Sequence, residues 1–145
     1  MADSMMERVL KALFAAIETA KPAGAGLQRN GILPTRIPSA GMIVVRDGDP
    51  GEPEVLLSPP LYYYEHLAEV EIIVDRSAAA RDAVFDALKR AVGAAIASDR
   101  TLGGLCDYVV GDSPAPIMLP VDGGDGMKAA TINVVLMYGS SDPLL

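Results

Sequence analysis

Two periods of apolar residues organise the chain. After Ser77, the residues Ala80, Val84, Leu88, Ala91 and Ala95 recur at three- and four-residue steps, flanked by Phe85, Val92 and Ile96. That spacing paints one wide apolar face along a helix. Arg81, Asp82, Asp86, Lys89 and Arg90 take the remaining side. Ser77 is placed to cap its start, and Gly103-Gly104 stops any helix that runs on. Ser4 to Ala20 repeats the pattern with Met6, Val9, Leu10, Leu13, Phe14 and Ile17. Ser4 as N-cap and Glu7 three residues on fit a capping box, and Lys21-Pro22 ends that helix.

The other period is two. In Tyr62 to Asp75, the residues Tyr64, His66, Ala68, Val70, Ile72 and Val74 alternate with Tyr63, Glu65, Leu67, Glu69, Glu71 and Ile73. The first set should meet the helices, and the second, mixed and acidic, should face solvent or a partner subunit. A strand this long exceeds the usual ~5–6 residues and can project as one arm of a ribbon. Ala130 to Tyr138 shows the same alternation, with Ile132, Val134, Leu136 and Tyr138 on one face. Met42 to Arg46 and Val55 to Leu57 read as two further strands forming a hairpin with a wide tip at Asp47–Gly51. Asp107 to Val110 and Ile117 to Val121 are extended, but Pro114, Pro116 and Pro120 bar a regular central strand there.

Between these elements lie long Gly- and Pro-containing stretches. Ala23 to Ala40 has no period and reads as a loop, of a length that often binds something or orders on assembly. The order α, β-β-β, α, β-β predicts one α+β domain over residues 1–145. Its mainly antiparallel sheet has four to five strands, with two helices on one face, a projecting β-ribbon and long loops.

Composition narrows the classes. Half of the 145 residues are apolar, enough for one core, yet there is no Trp and only two Phe, so the core must be aliphatic and alanine-rich. The net charge of −7, with no basic run against it, disfavours general nucleic-acid binding. The single cysteine, Cys106, excludes an internal disulfide. The opening Met-Ala-Asp-Ser lacks the order of a signal peptide, and no apolar run approaches the ~20 residues of a membrane span. Cytoplasmic synthesis without membrane insertion is the expectation.

Candidate chemistry is sparse. His66 is the only histidine and has no carboxylate in register on its face, so a core or interface role fits it better than a general base. Cys106 follows a helix C-terminus, whose dipole disfavours a thiolate. Asp122 and Asp125 with their glycines lack the further ligands of a calcium loop and fit a loop tip. Asp99, Asp107 and Asp112 show no metal-ligand spacing. No cofactor or metal is expected. Tyr62-Tyr63-Tyr64 suits either core packing or an interface. Arg29 and Arg36 are solvated loop residues or contacts for an anionic partner.

A long acidic-faced strand ending in Val74-Asp75, an alanine-rich helix, and then Ile96-Ala97-Ser98-Asp99-Arg100-Thr101-Leu102-Gly103-Gly104-Leu105-Cys106-Asp107 resembles the tail terminator, or tail completion, proteins of long-tailed phages, prophages and phage-derived gene transfer agents. The likeness centres on Asp99, Thr101, Leu102, Gly103 and Gly104; the N-terminal helix, loop and hairpin agree in order and length only. Cys106 and the proline-rich Ser113–Pro120 stretch depart from the pattern. The resemblance implies a ring, typically a homohexamer, that caps the tail tube, stops its polymerisation and presents the surface that joins the head–tail connector. Its partners would then be itself, the tail tube protein and the connector, and its place the virion tail or gene-transfer-agent particle. It implies no catalytic residues. A ring needs two different complementary patches per subunit. The sequence offers Tyr63 and the acidic Glu65, Glu69 and Glu71 against the basic Arg29, Arg36 and Arg46. The rival readings are a small α+β enzyme, acyl-transferase-like, using His66 or Cys106, and a dimeric ligand-binding module.

Overall fold

The computed structural model describes residues 2–120 and 126–145. Two helices and seven strands form an α+β fold around an open mixed sheet. The elements are α1 (Met5–Ala20), β1 (Gly26–Arg29), β2 (Met42–Asp49), β3 (Glu54–Leu56), β4 (Leu61–Val74), α2 (Ala78–Ser98), β5 (Tyr108–Gly111), β6 (Ile117–Leu119) and β7 (Met127–Ser140).

The spine of the sheet is β4 against β7, antiparallel from Tyr62↔Ser140 to Val74↔Lys128. The main path across the sheet is β1-β2-β4-β7-β5, with β3 added beside β4 and β6 beside β7. The expected four to five strands are thus seven, because short strands share an edge of each long one. The sheet is mixed because β1 runs parallel to β2, Gly26 opposite Met42. β1 lies inside the stretch expected to be all loop. Its Gly-Leu-Gln-Arg sequence has one large apolar residue and so no period to read. Parallel pairing needs a long crossover, and Asn30–Gly41 supplies it.

The expected β2–β3 hairpin does not form. Both strands pair antiparallel with β4, β2 along Leu67–Ile73 and β3 along Leu61–Tyr63, so they run in the same direction, end to end. Segment 50–53 is a jog between them, turned at Gly51, which takes φ +69° and donates from its N to Asp49 Oδ1 at 2.8 Å. The ladder is irregular between Arg46 and Asp49. Gly48 sits there at φ +70°, and a Cβ on it would run into the Leu67 carbonyl oxygen, so only glycine fits. The real hairpin is β3–β4, reversed at Leu57-Ser58-Pro59-Pro60. The long β4 is therefore no free arm, since β7 accompanies it throughout; what projects is the exposed β3–β4 tip.

One face of the sheet carries the core. Val9, Leu10, Leu13 and Ile17 of α1 and Phe85, Leu88, Val92, Ala95 and Ile96 of α2 pack on Ala68, Val70, Ile72, Ile132, Val134 and Leu136. Met6, expected in the α1 stripe, is exposed. A small second cluster, Met42, Val44, Ile73 and Ala129 with Ile37 and Met127, covers part of the opposite face. Ser4 caps α1, its Oγ accepting from Glu7 N at 3.2 Å. Ser77 precedes α2 without a side-chain cap bond.

Candidate assembly site

The turn after α2 is held by side chains bonding to its own backbone. Asp99 Oδ1 accepts from Thr101 N at 2.9 Å and Thr101 Oγ1 at 2.7 Å, and Asp99 Oδ2 accepts from Gly103 N at 2.8 Å. Thr101 O accepts from Gly104 N and Cys106 N. The Thr101 hydroxyl, followed by the Gly103 and Thr101 amides, holds the Asp99 carboxyl below its ordinary range. Leu102, Gly103 and Gly104 all take positive φ, at 47°, 72° and 88°. A Cβ on either glycine would meet nothing within 4 Å, so it is the left-handed backbone, not space, that asks for glycine. The turn drives Leu102 into the core and aims the chain into β5. Every member of the Asp-x-Thr-Leu-Gly-Gly sequence is spent on shaping this corner.

The charged residues expected to meet a neighbouring subunit are partly engaged within the chain. Arg29, on β1, donates from Nη1 and Nη2 to both Glu7 carboxylate oxygens at 2.7 and 2.8 Å, and from Nε to Asp47 Oδ1 at 2.8 Å. Glu7 therefore locks α1 to β1 instead of closing a capping box. The bidentate Arg29 bond is the largest influence holding the Glu7 carboxyl low. At Asp47, burial pushes the carboxyl up most strongly, but the Arg29 bond, the Asn30 side chain and the Arg29 charge act against it and the net shift is downward. Arg46 pairs with Glu71 across β2 and β4 at 3.1 Å and also donates to Gly31 O. Glu69 is half-buried opposite Arg46, while Arg36 and Glu65 are exposed. Tyr63 is half-buried between β3 and β7, beside Asp107.

His66 is fully buried. Its Nε2 lies 2.6 Å from the Asp47 carbonyl oxygen and its Nδ1 2.7 Å from the Tyr138 hydroxyl. A carbonyl only accepts, so in the neutral ring Nε2 carries the proton and Nδ1 accepts from Tyr138. Both nitrogens are thus occupied in tying β4 to β2 and β7. Burial pushes the Cys106 thiol up to about 12, so it is a packed sulfhydryl at neutral pH. Among the described residues no three His, Cys, Asp or Glu side chains cluster as a metal requires. Asp122 and Asp125 lie outside the described residues. Among the described residues no helix is long and apolar enough to cross a membrane.

Three surface features stand out. At the tip, Val55, Leu56 and Leu57 are exposed, Leu57 at 78%. Between α2 and β5 a cleft of about 300 Å³ has an apolar floor of Val92, Ile96 and Ile132 and a rim that includes Lys89, Arg90 and Arg100. On the sheet face away from the helices, a groove of about 530 Å³ runs between Leu33 and Ile117–Leu119 over Glu71, Ile73 and Thr131.

No family model matches the chain, and no curated protein does.

Sequence reasoning missed both tip and cleft. One signal for the tip was present: no Lys or Arg occurs between Arg46 and Arg76, a span holding eight Asp and Glu residues. That segregation of charge marks the tip as acidic, whereas the cleft is signalled only by the adjacent Lys89 and Arg90.

Proposed function

We propose that this protein is a tail-terminator-type assembly protein. It forms a homo-oligomeric ring on the end of a tail tube, halts tube growth and offers the face that receives the head connector. The observation that carries this reading is the Asp99–Gly104 corner. The residues that resemble the terminator family form a closed structural motif, with side chains turned onto their own backbone rather than toward a ligand. Two further features support it. The α+β fold has its helices on one face and leaves an apolar-lined groove on the other. The two side chains that an enzyme reading would use are otherwise committed, His66 to Tyr138 and Asp47, and Cys106 to the core.

The test is a tube-growth assay with the tube subunit encoded in the same gene neighbourhood. Adding the protein to polymerising tubes should shorten them and place a ring of density on tube ends in electron micrographs. Unchanged tube lengths with bare ends, or a neighbourhood without a tube gene, would overturn the reading.

A further inference from the structure

We propose that the β3–β4 tip of one subunit docks into the α2/β5 cleft of a second copy of this chain, and that this is the contact that closes the ring; the proposal rests on the ring reading. The charge pairs suggested by sequence leave little for such a contact, because Arg29 is bound to Glu7 and Asp47, and Arg46 to Glu71, within one chain. Tip and cleft are not spent in this way. Lys89 and Arg90 are exposed and form no ion pair with the described residues, and neither do Glu52 and Glu54.

The two surfaces match in kind. The tip presents Val55, Leu56 and Leu57 framed by the acidic Asp49, Glu52 and Glu54, with no basic residue. The cleft presents an apolar floor framed by Lys89, Arg90 and Arg100, with Asp112 as the one acid on its rim. Arg100 is set in place, donating to the Val109 carbonyl at 2.9 Å and lying over the Tyr108 ring. An apolar knob with an acidic collar therefore meets an apolar floor with a basic collar, so that burial and charge act together.

Position makes the match heterologous. β3 adds to the side of β4 away from β7, and β5 adds to the side of β7 away from β4. Tip and cleft thus flank opposite sides of the central pair. A contact that joins opposite sides of successive copies runs head to tail, and closes into a ring when the rotation per copy allows.

The experiment places a photo-crosslinking amino acid at Leu57 of the full chain and maps the products by mass spectrometry, beside light-scattering masses. Crosslinks to residues 89–93 or 110–114 of a second copy are expected. Crosslinks from a multimer that map elsewhere on the second copy overturn the tip-to-cleft contact and leave the ring reading standing. A chain that remains monomeric at high concentration and on tube ends overturns both. Leu57→Asp should weaken self-association more than about tenfold by forcing a charge onto the apolar floor. Glu54→Lys and Lys89→Glu should each weaken it by a few-fold, and the double swap should recover it. Equal association of all four variants and the parent would overturn the contact.

Discussion

The two faces of the sheet obey different rules although they share the same strands. On the helix-covered face, β4 contributes Tyr64, His66, Ala68, Val70, Ile72 and Val74, and all six are buried. On the other face the same strand alternates Glu65, Leu67, Glu69 and Glu71, none of them fully enclosed. The covered face is closed by two helices and tolerates the buried His66–Tyr138 bond because both ring nitrogens are satisfied. The other face is closed only in patches, by Ile37 and Met127, and carries ion pairs such as Arg46–Glu71. One face holds the molecule together, and the other has room to meet something else.

The largest effect should come from setting the faces against each other on a single strand. Leu136→Ala, on the covered face of β7, should cost about 2–5 kcal/mol of unfolding free energy. Thr131→Ala, exposed on the opposite face, should cost under about 1 kcal/mol. Urea denaturation of both variants checks this, and similar losses would mean that the open face is not open. Next in size, Tyr138→Phe removes the donor to His66 Nδ1 and leaves a buried acceptor without a partner. It should lower stability by about 1–3 kcal/mol, with the fold kept by circular dichroism. The smallest effect concerns acid. The Glu7 and Asp47 carboxyls are held below their ordinary range in the fold. Their contribution is complete above the unfolded values of about 4.3 and 3.9 and is lost as pH falls through the lower folded ones. Stability should therefore begin to fall below about pH 5. Arg29→Met should be less stable at pH 7, and its deficit should shrink as the pH is lowered. A deficit that stayed constant with pH would show that Arg29 acts only through packing.

Where periodicity was strong, the fold was legible. α1, α2, β4 and β7 lie where alternation or helical spacing placed them, because half-burial stamps its period on a sequence. β1 was hidden because one leucine in four residues has no period, and its pairing is imposed by β2 and the Asn30–Gly41 crossover. The partner of β3 was hidden because strand pairing is decided by where segment 50–53 carries the chain, not by composition. Charge signs were legible at Arg29, Arg46 and Glu71, but their partners were not. Glu7, on a helix distant in sequence, claims Arg29, and Glu71 claims Arg46 from the adjacent strand. The Asp99–Gly104 corner was readable as a turn, whereas its three Asp99 bonds became visible only in three dimensions.

The arrangement of strand lengths has a consequence for aggregation. β4 and β7, at 14 residues each, are the segments long enough to template cross-β growth, and each has neighbours on both sides. The strands at the margins, β1, β3, β5 and β6, run only three or four residues. A foreign strand finds too short a rail to zip onto, so crowded copies of the chain are guarded against amyloid-like stacking.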